Sequence, residues 1–243
     1  MKFNIAKTGG VKAELVFEDR LDTEFTKALA EKEVFSGKAE EVYFSMNEKF
    51  ECNLLIGLGK EEDIEFDMLR KTFFKVAEVL LKNKVAEVEL NIPKLNNLCN
   101  YKLAEAIAEG MLHATYKFDK FKSEKKETPE LIINYNPIPG KEHRAEKGID
   151  EAKKLIESIF LTRDLVNQPA NVIYPETLAD ITKERLEAKG VKVTVYGKKE
   201  IEEIGMEAFL TVARASAKEP KLIVMEYYNN PESDERIALV GKG

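Results

Sequence analysis

The run Cys52-Asn53-Leu54-Leu55-Ile56-Gly57-Leu58-Gly59-Lys60 decides the class of fold. Its five opening residues form an extended, largely apolar stretch, and the glycines after them supply a turn. Leu69, Phe73, Val76 and Leu80 then recur every three or four residues, the spacing that puts them on one face of a helix. Strand, turn and helix in that order make one α/β unit, and the unit recurs on either side. Val85 to Ile92 alternates as a strand, Leu103, Ile107, Met111 and Ala114 mark a second helix, and Leu131-Ile132-Ile133 supplies a further strand. Toward the N-terminus, Phe3 to Ile5 and Ala13 to Phe17 flank Lys7-Thr8-Gly9-Gly10 and read as a hairpin. Strands alternating with helices predict a parallel or mixed sheet with helices packed on it.

The polar stretch 134–147 carries Pro137, Pro139 and Gly140 and continues no apolar period, so a domain boundary is expected there. From Ala145 a helical stripe resumes through Ile149, Ala152, Ile156, Ile159 and Phe160, and it stops at Asn167-Gln168-Pro169 because proline disfavours helical geometry in the residue before it. A helix opened by Pro175 follows, then a strand from Val191 to Val195, a short helix to Gly205, and two apolar strands, Leu222 to Tyr227 and Ile237 to Val240. A second α/β unit therefore begins after the connecting helix. Asn167 and Asn171 fit a structural role around Pro169, closing the helix and capping a turn.

Over 243 residues, 44% hydrophobic and 34% charged, there is ample apolar material for a core. A formal charge of -6 gives no overall basic field, which disfavours nucleic-acid binding and favours small-molecule or peptide chemistry. No stretch approaches the roughly 20 apolar residues of a membrane span, and Met1 to Gly10 lacks the apolar core of a signal peptide, so a cytoplasmic location is expected. Cys52 and Cys99 have no CxxC spacing and read as reduced, packed thiols.

Few residues carry chemistry. His113 lies in a helix and reads as a packed or half-exposed residue, while His143 sits between Glu142 and Arg144 and reads as solvent-exposed. Neither has metal-ligand spacing. Gly57-Leu58-Gly59 lacks the third glycine and the acidic residue of a dinucleotide site, and Glu61-Glu62-Asp63 reads as a surface run or helix start. No catalytic and no cofactor-binding residue is assigned on these grounds.

The segment Thr162-Arg163-Asp164-Leu165-Val166-Asn167-Gln168-Pro169-Ala170-Asn171, followed by Tyr174-Pro175-Glu176-Thr177-Leu178-Ala179, resembles the start of the catalytic domain of the M17 leucyl aminopeptidase family. Gly205 to Leu210, Glu219 to Val224 and Ile237 to Gly243 are similar to successive blocks of that family. Gly57-Leu58-Gly59-Lys60, Glu109-Gly110 and Tyr116-Lys117-Phe118-Asp119-Lys120 resemble its N-terminal domain. Glu207 and Arg214-Ala215 depart from the family pattern, outside its metal motif.

The resemblance implies a macro-like mixed-sheet N-terminal domain over 1–144, a linker helix over 145–168 and the incomplete beginning of an α/β metallopeptidase domain over 169–243. It implies a hydrolase that removes N-terminal amino acids from peptides, with two divalent ions, Zn or Mn, and a homohexameric assembly. The lysine of the family's VGKG motif is a metal ligand, and that role falls on Lys242 between Gly241 and Gly243. The family's other ligands, which are carboxylates, and its catalytic lysine and arginine correspond to positions past residue 243. The chain is thus expected to be truncated, inactive alone and without bound metal. An amine coordinates only when neutral, and deprotonating a lysine at pH 7 costs about 4–5 kcal/mol, which a single donor cannot offset. Two other readings stand beside this one: a non-catalytic macro-like binding module, and a DNA-binding accessory protein, which the acidic balance disfavours. The strands Leu222 to Tyr227 and Ile237 to Val240 are apolar on both faces, so self-association is expected.

Overall fold

The computed structural model describes residues 1–49, 51–95, 98–125 and 129–242. The chain divides into two units, Met1–Asp164 and Leu165–Gly243.

The first unit is built on a six-stranded sheet. In chain order it contains β1 (Lys2–Ile5), β2 (Val11–Val16), α1 (Glu24–Glu31), β3 (Val42–Met46), β4 (Cys52–Gly57), α2 (Phe66–Lys82), β5 (Glu87–Asn91), α3 (Asn100–His113), β6 (Ile132–Asn136) and most of α4 (Glu142–Asn167). The strand order is β1-β6-β5-β2-β4-β3, and the edge strand β3 is antiparallel to β4 while the other pairings are parallel. The expected mixed sheet is therefore present.

Successive strand residues point to opposite faces, and the two faces differ in chemistry. Leu54, Ile56, Val88, Leu90, Ile133 and Tyr135 face the helices and share one core with Leu69, Phe73, Val76 and Leu80 of α2 and Leu103, Ile107 and Met111 of α3. Each such side chain, fully buried, stabilises the fold by about 1.5–3 kcal/mol relative to exposure. Ala145, Ile149 and Ala152 of α4 join the same core, so the front half of the connecting helix is part of the first unit. On the opposite face Val16 and Leu55 pack with Leu29 of α1 and with Phe35 in a smaller cluster.

Apart from Ile132, the part of that second face formed by β1, β6 and β5 is polar. Asn4 Nδ2 donates to Asn134 Oδ1 at 3.0 Å, Asn134 Nδ2 donates to Glu87 Oε1 at 2.7 Å, and Asn91 Nδ2 donates to Glu89 Oε1 at 3.0 Å.

The hairpin expected at the N-terminus is not formed. β1 and β2 are separated by β6 and β5, and each pairs parallel to its own neighbour. The glycines serve a backbone crossing instead. Gly9 N donates to Glu89 Oε2 at 3.0 Å, Asn134 Nδ2 donates to Gly9 O at 3.1 Å, and a Cβ on Gly10 would stand 2.3 Å from the Glu87 carbonyl oxygen. The Gly57-Leu58-Gly59 turn is tight for a similar reason: a Cβ on Gly57 would meet the Lys38 carbonyl oxygen at 2.1 Å.

The second unit contains the end of α4, α5 (Pro175–Glu187), β7 (Lys192–Tyr196), α6 (Lys198–Ile204), α7 (Glu207–Ala213) and β8 (Leu222–Glu226). Pro175 stands at the first position of α5, where its missing N–H costs nothing, and Tyr174 N donates to Thr177 Oγ1 at 3.0 Å. Gly205 ends α6 in the left-handed region at φ 83°. β7 and β8 pair antiparallel as a two-stranded sheet. The strand expected over Ile237 to Val240 is absent: this stretch is irregular, and Ile237, Leu239 and Val240 are 92%, 95% and 98% exposed. A strand needs a hydrogen-bonding partner, and among the described residues none pairs with this segment.

Candidate metal centre

Lys242 follows irregular backbone, and its side chain lies in an exposed residue. A Cβ added to the neighbouring Gly241 would meet nothing within 4 Å. The other flanking residue, Gly243, lies outside the described residues. Among the described residues no group of three or more His, Cys, Asp or Glu side chains is placed to hold a metal ion. A pair of divalent ions requires several converging donors, usually carboxylates. One exposed amine does not fulfil that requirement, so the described residues by themselves do not fit a two-metal site.

The remaining sequence candidates are dispersed. Glu61–Asp63 forms a 3-10 turn, with Glu61 Oε2 3.3 Å from Arg20 Nη1. His143 is exposed in the first turn of α4. Cys52 is half-buried in β4, whereas Cys99 is exposed just before α3, contrary to the packed thiol expected there; neither forms a disulfide. Asn167 closes α4, and Asn171 lies in the turn where Val172 N and Ile173 N both donate to the Pro169 carbonyl, at 2.8 and 3.0 Å.

Ionisable groups do converge along α3, away from Lys242 in sequence. Residues 103–111 of this helix are buried without a break, and Glu105 and Glu109 are among them. Lys102 Nζ lies 2.6 Å from Glu105 Oε2, and Arg70 Nη1 of α2 lies 3.7 Å from Glu109 Oε2. Arg70 also pairs with Asp67, whose second oxygen is 2.8 Å from Lys71 Nζ. Burial pushes the Glu109 carboxyl above the ordinary carboxylate range, and the Arg70 charge opposes this. One turn further on, burial holds the His113 imidazole below its ordinary value, with Arg163 and Arg70 adding to the effect.

No reading of motifs anticipated this acidic pair. The available signal was Ala104, Ala106, Ala108 and Gly110, small residues that let helices approach on several sides and so bury the acids between them. A Cβ on Gly110 would lie 2.2 Å from the Arg70 carbonyl oxygen, and one on Gly148 of α4 would lie 2.3 Å from that of Tyr101.

Two family models match the chain in sequence order. The N-terminal domain of the cytosol aminopeptidase family matches residues 8–125, and the catalytic domain of the same family matches residues 160–243. The chain belongs to the cytosol aminopeptidase family. Similarity to members of that family extends over its full length: it is 73% identical to the probable cytosol aminopeptidase of Treponema denticola over 243 residues, which is 100% of this chain and 51% of that protein. A probable cytosol aminopeptidase of Clostridium tetani is 41% identical over 248 residues, covering 100% of this chain and 52% of the relative. The chain thus spans about half the length of the curated aminopeptidases it matches.

Among solved structures, a mutant of tomato leucine aminopeptidase superposes with a TM-score of 0.75 at 20% identity, covering 92% of this chain and 50% of that one. The bottromycin maturation enzyme BotP in complex with Mn gives 0.73 at 20% identity, over 91% of this chain and 46% of that one. At this identity they establish a shared fold. Cytosol aminopeptidases are hydrolases, and the segment matched to their catalytic domain contains Lys242.

Proposed function

We propose that this chain forms the N-terminal domain, over 1–144, a linker helix, over 145–168, and the opening of the catalytic domain, over 169–243, of a metal-dependent aminopeptidase that releases N-terminal amino acids from peptides. In this reading Lys242 is one ligand of a pair of divalent ions, Zn or Mn. The whole protein works in the cytoplasm as a homohexamer. The observation that carries the proposal is the ordered match of both domains of one family within a single chain, 8–125 followed by 160–243.

The chemistry of the donors explains why this chain alone is expected to be inactive. Lys242 must lose a proton to bind a metal, at a cost of about 4–5 kcal/mol at neutral pH. Only an ion already held by several anionic donors offsets that cost, and those donors are not clustered among the described residues.

The test joins this chain to the remaining half of the Treponema denticola relative, with which it shares 73% identity over the matched part. The fusion should release leucine from a chromogenic amide in a Mn- or Zn-dependent manner, Lys242→Ala should lower the rate at least about a hundredfold, and the 243-residue chain should give no chelator-sensitive release. Chelator-sensitive cleavage by the shorter chain, or a folded fusion with no activity, would refute the proposal.

A further inference from the structure

Helix α4 has two unlike halves. As far as Ile156 it is a core element, with Ala145, Gly148, Ile149, Ala152 and Ile156 buried. From Glu157 to Asn167 no residue is buried, although Ile159, Phe160, Leu161, Leu165 and Val166 fall in this stretch. A helix segment with no buried face draws little stability from tertiary packing and frays readily.

The polar and aromatic contacts that tie this half to the rest of the first unit converge on the loop after α3. The Tyr116 hydroxyl donates to Asp164 Oδ1 at 2.9 Å. The Arg163 guanidinium carbon stands 3.7 Å from the centre of the Tyr116 ring, and the Phe160 ring is 5.0 Å away. His113 adds a tilted contact to Phe160 at 6.3 Å. Phe160, Arg163 and Asp164 are spaced i, i+3 and i+4, so one helix face meets one phenol. A tyrosine suits all three contacts together: its ring accepts the cation and packs the phenylalanine, and its hydroxyl reaches the carboxylate.

We infer that Tyr116 is a positioning residue that holds the second half of α4 in register up to the boundary between the two units. Tyr116 belongs to the segment matched by the N-terminal family model, and Phe160, Arg163 and Asp164 belong to the segment matched by the catalytic one. The contact is therefore where the two family segments are fastened within the first unit. This inference is independent of the peptidase reading, since it concerns the helix and not the reaction.

Amide hydrogen exchange on the 243-residue chain tests it. Tyr116→Ala should speed exchange across 157–167 by about tenfold while leaving 145–156 and α2 unchanged. Tyr116→Phe keeps the ring contacts and loses the hydroxyl, and should fall between the two. If Tyr116→Ala does not fold, Asp164→Ala and Arg163→Ala, at exposed residues that each remove one of the contacts, should each accelerate exchange in the same segment by an intermediate amount. Exchange over 157–167 that matches the parent chain in these variants, or acceleration spread evenly along α4, would overturn the inference.

Discussion

Arg70 on α2 reaches Glu109 on α3 at 3.7 Å, and the Glu109 side chain is only 3% exposed. Burial raises the Glu109 pKa despite the arginine, so the folded chain binds this proton more readily than the unfolded chain does. The stability it contributes is fully present below the ordinary carboxylate value and is lost as pH rises through the folded-state pKa. Glu109→Gln should remove that slope and raise the denaturation midpoint at neutral pH. Urea titrations of both proteins from pH 4 to 8 provide the check, and a Gln variant that keeps the slope would count against the assignment.

His113 contributes with the opposite sign. Its folded-state pKa lies below the ordinary value because burial and the Arg163 and Arg70 charges disfavour the imidazolium. The stability it contributes is present above about pH 6.5 and is lost as pH falls through the lower, folded value. His113→Gln should flatten this acid limb, readable in the same titration series, and an unchanged limb would assign it to other groups.

Gly148 lets α4 approach α3 closely, since a Cβ would stand 2.3 Å from the Tyr101 carbonyl oxygen. Gly148→Ala should destabilise the first unit by about 1–3 kcal/mol, because the three nearest atoms, the Tyr101 carbonyl oxygen and carbon and the Glu105 nitrogen, are helix backbone that cannot yield cheaply. Gly241→Ala, where the same addition meets nothing within 4 Å, should change stability by less than about 0.5 kcal/mol. Thermal denaturation of the two variants side by side separates the outcomes.

The exposed apolar run at Ile237, Leu239 and Val240, together with the exposed Met225 on β8, should make the chain self-associate as its concentration rises. Leu239→Lys combined with Met225→Lys should shift size-exclusion elution toward the monomer. A parent chain that elutes as a stable monomer at high concentration would remove the basis for this expectation.

The order of strands and helices could be read from the sequence because each depends on local periodicity. Leu69, Phe73, Val76 and Leu80 had to share a helix face, and Val88 and Leu90 had to share a strand face, whatever surrounded them. The family was also legible, since the Thr162 to Asn171 and Tyr174 to Ala179 blocks are contiguous residues. Partner choice was not. Lys7 to Gly10 has the composition of a hairpin turn, yet β1 and β2 are separated by β6 and β5, because β1 pairs with β6, far along the chain, and β2 pairs with β4 and β5. Ile237 to Val240 has the composition of a buried strand, but composition supplies no hydrogen-bonding neighbour. Glu105 and Glu109 look like surface acids on a helix until α2 and α4 close over them, and Tyr116 gains its role only when Arg163 and Asp164 come to it along another helix. Side-chain chemistry and spacing are properties of the chain, whereas burial and pairing are properties of its neighbours in space, and those exist only once the sheet and its helices have assembled.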